Sequence, residues 1–291
     1  MSPDPDHAAF EALAQSGAED NEAAQSLVSR FKDRTNSEQL KALAALWLNA
    51  AVAAPETLAG VYDASAQGWL GEPVGGPAIR TVRGLAPAAI SPAFWKVFWA
   101  LVAEGGGLGS NTRSAAALGE LLSPEVTQRA DRMAESFPAA GANAPAVGIT
   151  PDALARCPPG SLGAAVLAIS EAAPGASLRT RDFWRVTAGY DTTVLHQAAF
   201  SAFQLAQTGH PAPAKILAVM LARVAFQQPQ GGRIVLPAAL SAWTHGRRTP
   251  PLHPARWEKL WDKTPEEVRA ALGVTTYDSP FPADLLEQAA A

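Results

Sequence analysis

The steps Ser91-Pro92, Ser123-Pro124, Thr150-Pro151 and Thr264-Pro265 constrain this chain more than any other feature. A Ser or Thr oxygen accepts from the free N–H groups of a first helical turn, and a following proline lacks only an N–H that the helix leaves unused. The runs behind these steps are rich in Ala and Leu, so the chain is written as a series of helix starts. No segment alternates at period two for long, β-branched residues are sparse, and Ile234-Val235-Leu236 is too short to argue for a sheet. The expectation is an all-α multi-helix bundle with an N-terminal helical extension.

The expected helices follow in order. Asn36 or Ser37 caps a run to about Ala54, and Pro55 opens another. Ala93–Glu104 carries Phe94, Trp95, Phe98 and Trp99 at helical spacing and stops at Gly105-Gly106-Gly107. That aromatic stripe is read first as core, and otherwise as the wall of a lipid cavity. A helix through Ser136 precedes 136–148, a Pro-, Ala- and Gly-rich linker. Further helices are expected from Thr150, over 160–172, 213–226, 235–242 and 254–262, and from Thr264, where Glu267 gives capping-box spacing. The organisation expected is a poorly ordered or loosely packed segment 1–35, helical regions 36–136 and 149–275 packed as one domain, and a tail 276–291.

Nearly half of the 291 residues are apolar, ample for a core, and the net charge of −4 implies no general affinity for polyanions, so nucleic acid is not an expected partner. The single Cys157 excludes an internal disulfide. Nucleophile motifs and a P-loop are absent, and Gly105–Gly107 lacks the strand a dinucleotide fingerprint needs. No run reaches the roughly 18–20 apolar residues of a spanning helix. The acidic first residues are neither a signal nor a transit peptide, so a cytoplasmic location is expected, peripheral on the inner face of the cell membrane. Arginine outnumbers lysine and Ala and Pro are frequent, as in a GC-rich bacterial genome.

The chemistry concentrates in Leu178–Pro211, read as two helices joined by Gly189-Tyr190-Asp191-Thr192. Arg181 and Arg185 share a face at i, i+4, and Asp182 lies beside Arg185 at i, i+3. Gly189 can end the first helix at positive φ, and Asp191 or Thr192 is the expected cap of the second. A hairpin would then bring His196 and Gln197 to the Arg/Asp face.

This stretch resembles the family of the fourth coenzyme Q biosynthesis protein, a helical ubiquinone-biosynthesis family with a His-Asp-x-x-His…Glu signature. Thr180-Arg181-Asp182-Phe183-Trp184-Arg185-Val186, Gly189-Tyr190 and Gln207-Thr208-Gly209-His210-Pro211 match its frame without a gap. Pro158-Pro159-Gly160-Ser161-Leu162-Gly163 and Trp257-Glu258-Lys259-Leu260-Trp261, with Val268–Val274, are similar to its flanking blocks. Arg181 and Arg185 stand at the histidine positions and Gln197 at the glutamate; only Asp182 remains. The resemblance implies a metal used in oxidative decarboxylation of a quinone-head precursor, but an arginine has no lone pair to offer, so no metal or other cofactor is expected.

Two readings of the arginines stay open. One guanidinium pairs with Asp182 and holds the helices where a cation would sit, or the two form a fork for a phosphate or carboxylate. The ligand-binding set is accordingly Arg181, Asp182, Arg185, His196 and Gln197, with the ligand an isoprenoid lipid or quinone precursor. The resemblance also implies a membrane surface, proteins of a ubiquinone-biosynthesis complex and a homodimer. The leading reading is a non-catalytic paralogue. The alternatives are a metal-independent enzyme using Asp182 and His196, and a helical interaction module. His210 and the run 246–251 are expected to be solvated, with the run's basic residues able to meet lipid headgroups, and His245 shows no ligand spacing.

Overall fold

The computed structural model describes residues 24–25, 28–29, 37–76, 90–104, 113–114, 117–118, 149–171 and 178–288. The expected linker 136–148, the helix before it and most of segment 1–35 lie outside these residues. The described chain is all-α and contains no strand. Its helices are α1 Ser37–Val52, α2 Leu58–Leu70, α3 Pro92–Ala103, α4 Pro151–Leu154, α5 Leu162–Glu171 and α6 Thr180–Ala188. Then follow α7 Val194–Thr208, α8 Pro211–Gln227, α9 Gly232–Arg248, α10 Pro265–Leu272 and α11 Leu285–Gln288. None of them is long and apolar enough to cross a membrane.

The starts written into the sequence are used. Ser91 Oγ accepts from Phe94 N–H at 3.3 Å and Thr150 Oγ1 from Ala153 N–H at 3.2 Å. Thr264 and Glu267 exchange both bonds of a capping box ahead of α10. Two extents differ from expectation. Residues 254–262 hold only the 3-10 turn Trp257–Lys259, and α9 runs well past Ala242 to Arg248. Packing explains α9. A Cβ on Gly246 would stand 2.7 Å from Ala206 Cβ and 2.9 Å from Phe203 O, so α7 and α9 touch almost backbone to backbone there.

The bundle centres on α7 and α9, with α8 beside α7 and α1 laid along α8. Burying each large apolar side chain contributes about 1.5–3 kcal/mol. The largest such groups are Trp47, Trp95, Trp184 and Trp243, all buried. Phe94, Phe98 and Trp99 are buried as well, so the aromatic face of α3 is core. Tyr62 stacks on Trp47 at 4.4 Å and tilts against Trp243 at 5.1 Å.

The basic run 246–251 is not a solvated loop. Residues 246–248 close α9, and Arg247 is buried with Nε 3.1 Å from Asp63 Oδ1, which also accepts from Trp243 Nε1 at 2.8 Å. Arg248 alone of the pair stays exposed.

The three sequence blocks meet. At the start of α5, Leu162 N–H donates to Lys263 O at 2.7 Å and Gly163 N–H to Trp261 O at 2.8 Å. Free donors of a helix start are thereby satisfied by the segment that leads into α10.

Candidate functional site

Helices α6 and α7 form the expected hairpin. Asp182 Oδ2 accepts from Arg179 N–H at 2.8 Å, the return half of a capping box; an arginine side chain cannot supply the other half. Gly189 ends α6 at φ 79°, and a Cβ there would lie 2.2 Å from Thr276 Cγ2. Conformation and contact therefore both require glycine at this turn.

The polar side chains of the hairpin converge on the turn that joins its helices. Arg185 Nη1 donates to Asp191 O at 2.8 Å, while its guanidinium carbon lies 4.6 Å from the Phe200 ring centre. His196 Nδ1 accepts from Asp191 N–H at 2.9 Å, and Gln197 Nε2 donates to Thr192 O at 2.6 Å. Asp182 meets Arg181 at 3.9 Å, the outer limit of an ion pair, rather than Arg185. Asp182 and His196 each serve a different backbone amide and share no bond.

The electrostatics tie these groups together. Burial first, then the neighbouring Arg181, lowers the Arg185 pKa from its ordinary value to about 10, against the attraction of Asp182 and Asp191. Arg181 is lowered by burial too, although its side chain is 41% exposed. Both guanidiniums thus carry charge in a crowded but solvent-reachable place, and both remain protonated at neutral pH. Among the described residues no carboxylate is ion-paired with Arg185. Burial lowers the His196 pKa, and Arg185 adds to this while Asp191 opposes it. Since Nδ1 accepts, the proton of the neutral ring sits on Nε2, which is buried without a hydrogen-bond partner.

Behind the turn lies an aromatic network that sequence reasoning missed. His245 Nε2 faces Thr275 O at 2.9 Å and must donate, because a carbonyl only accepts. Nδ1 therefore accepts from the Tyr190 hydroxyl at 2.9 Å. Tyr277 stacks on Tyr190 at 4.5 Å, donates its hydroxyl to Ala238 O at 2.9 Å and its N–H to Ala188 O at 2.8 Å. The only sequence signal was Tyr190 beside the turn glycine; its bonded partner His245 and its stacked partner Tyr277 lie 55 residues and more away.

Two local expectations are corrected. The N-cap position of α7 is Thr193, not Asp191 or Thr192, because Asp191 turns its carboxylate to Thr192 N–H instead. His210 is half-buried rather than solvated, since Nδ1 accepts from Ala212 N–H at 3.2 Å to cap α8.

The residues present do not fit a metal. Of the motif positions only Asp182 and the weaker amide oxygen of Gln197 can donate to a cation, too few for a site, and Asp182 is engaged by Arg179 N–H and Arg181. Among the described residues no three His, Cys, Asp or Glu side chains could share one ion.

Residues 178–278 match the family model described as Coenzyme Q (ubiquinone) biosynthesis protein Coq4. That span runs from the residues before α6 through Tyr277 and so contains the whole hairpin and its aromatic backing. A crystal structure of a candidate ubiquinone biosynthesis protein from Nostoc punctiforme is similar at 24% identity and a TM-score of 0.48, over 63% of this chain and 97% of that one. No curated protein matches the chain.

Proposed function

We infer from the match of residues 178–278 to the ubiquinone-biosynthesis family model that this protein serves that pathway as a non-catalytic binding protein for an anionic quinone precursor with an isoprenoid tail. The carrying observation is the state of Arg185. It is a half-buried guanidinium, held charged against burial and against Arg181, with one hydrogen bond to a carbonyl. A carboxylate or phosphate set between Arg181 and Arg185 would relieve both costs. Turnover is disfavoured by the same geometry, because Asp182 and His196 are separately committed to backbone amides. A membrane-surface location, pathway partner proteins and a homodimer go with this reading as expectations from the family.

The test is equilibrium binding of geranylated hydroxybenzoate to the purified chain, with the recovered ligand analysed by mass spectrometry. Binding that weakens at least tenfold in Arg185→Met, with ligand recovered unchanged, supports the reading. Consumption of the ligand that stops in Asp182→Asn, or rescue of a strain lacking its family protein that is lost in the same variant, would establish an enzyme instead.

A further inference from the structure

A buried donor in the hairpin lacks an acceptor. His196 is 7% exposed and its Nδ1 accepts from Asp191 N–H at 2.9 Å. Its Nε2–H, at the far side of the ring, meets no acceptor among the described residues. A buried N–H has given up its bonds to water, so one left unmet marks a missing partner. The aromatic neighbours do not supply it. The Tyr190 hydroxyl donates to His245 Nδ1. Tyr277, the anchor of the arm that leads from α10 to α11, turns its hydroxyl to Ala238 O and Ser241 Oγ. The rings of Tyr190 and Tyr277 stand edge to face with His196 at 6.2 and 5.5 Å, which offers at most a weak N–H···π contact.

His196 differs in its place from other unmet donors such as the indoles of Trp184 and Trp257. It is bonded to the residue that also holds Arg185: His196 takes Asp191 N–H, and Arg185 Nη1 donates to Asp191 O at 2.8 Å. The imidazole and the guanidinium therefore flank one residue, near enough for the charge of Arg185 to act on the ring. Their aromatic surroundings are continuous. The Arg185 guanidinium lies 4.6 Å from the Phe200 ring centre, Phe200 lies 5.3 Å from Tyr190, and Tyr190 stacks on Tyr277. A cation, an uncharged donor and aromatic faces thus gather at one turn, a combination that matches a single oxygenated benzene ring bearing an acid group.

We propose that His196 sets the headgroup specificity of this site: Nε2–H donates to a ring oxygen, phenol or carbonyl, of an aromatic acid whose carboxylate is held by Arg181 and Arg185. The proposal rests on the anion-binding reading above and narrows its ligand to an oxygenated aryl acid.

Two probes isolate the atom at issue, geranylated hydroxybenzoate and the geranylated benzoate that lacks only the ring hydroxyl. On the full chain, wild type is expected to bind the first about tenfold tighter, the size of one hydrogen bond to a buried donor. His196→Asn keeps an oxygen for Asp191 N–H and removes the Nε2 donor, so it is expected to bind both probes alike, with the affinity of wild type for the second. The Nε2–H proton resonance of His196 in wild type is expected to shift with the hydroxylated probe and not with the other. An unmoved resonance overturns the proposal even where the variant does not fold. So does a loss in His196→Asn that is equal for both probes, which marks a residue that only holds the turn. Equal affinity of wild type for the two probes, or a preference that survives in His196→Asn, overturns it as well; weaker binding of both probes by Arg185→Met then leaves the anion-binding reading standing. Failure of wild type to bind either probe overturns both.

Discussion

At the scale of single residues, Arg185 separates a structural role from a binding one. Its charge is penalised by burial and by Arg181, and is favoured by the Asp191 carbonyl and the Phe200 ring. A hydrogen bond from a charged group contributes about 1.5–3 kcal/mol and a half-exposed cation–π contact about 0.5–1, of the same order as the penalty. Arg185→Met is therefore expected to unfold within about 1 kcal/mol of wild type in urea, where loss of one partner from a buried ion pair would cost about 3–5. A loss of that larger size would make Arg185 a keystone of the hairpin rather than a ligand-binding cation. The residues that could be read from sequence alone are those whose partners are near in the chain. Gly189 as a helix end and Glu267 as a cap are fixed within four positions, and so is the shared face of Arg181 and Arg185. His245 and Arg247 escaped because their partners Tyr190, Thr275 and Asp63 are brought to them only by folding.

At the scale of elements, the α7–α9 contact and the anchored arm behave differently under perturbation. Gly246→Ala gains about 1 kcal/mol of helix propensity, but its methyl would meet Phe203 O at 2.9 Å and Ala206 Cβ at 2.7 Å. Overpacking of this kind costs about 1–3 kcal/mol, and a backbone oxygen cannot swing aside, so a net loss of up to about 2 kcal/mol is expected in chemical denaturation. Gly75→Ala, with open space around its new Cβ, serves as the neutral control. The arm responds to acid. Burial lowers the His245 pKa below 6.5, so the fold prefers the neutral ring, whose Nδ1 accepts from Tyr190. The stability from that preference is complete above pH 6.5 and is lost as pH falls from there through the folded value. Each such histidine contributes at most about 1.4 kcal/mol per pH unit. His245→Gln, which keeps a donor for Thr275 O but does not titrate, should flatten the fall measured between about pH 6.5 and 5. An unchanged slope would assign the acid response to His196 or His210, whose pKa values are lowered by burial as well. The sequence announced α7 and the middle of α9, whereas α11 was read as part of a tail and the full length of α9 did not show, because Thr244 and Gly246 are poor helix formers and Gly246 is held there by α7.

At the scale of the whole molecule, the question is whether the region that carries the hairpin can stand without what precedes it. The family match begins at Leu178, and the sequence suggested a boundary near 136–148. Packing argues against independence. α1 lies along α8, Ser37 Oγ donates to Ala225 O at 2.6 Å, and Lys41 sits 4.6 Å over the Phe226 ring. α2 adds Asp63 to the buried Arg247, and Tyr62 to Trp243. A fragment from residue 149 onward would uncover the faces of α8 and α9 that these helices bury and would leave Arg247 without Asp63. Loss of that partner alone costs about 3–5 kcal/mol where the charge stays buried, comparable with the roughly 5–15 kcal/mol by which whole domains are stable. The 149–291 fragment is accordingly expected to bind a hydrophobic dye and to unfold without a cooperative transition. The same fragment mixed with a separate 1–148 chain should recover a sharp transition, and a fragment that melts cooperatively by itself would show the hairpin region to be the folding unit.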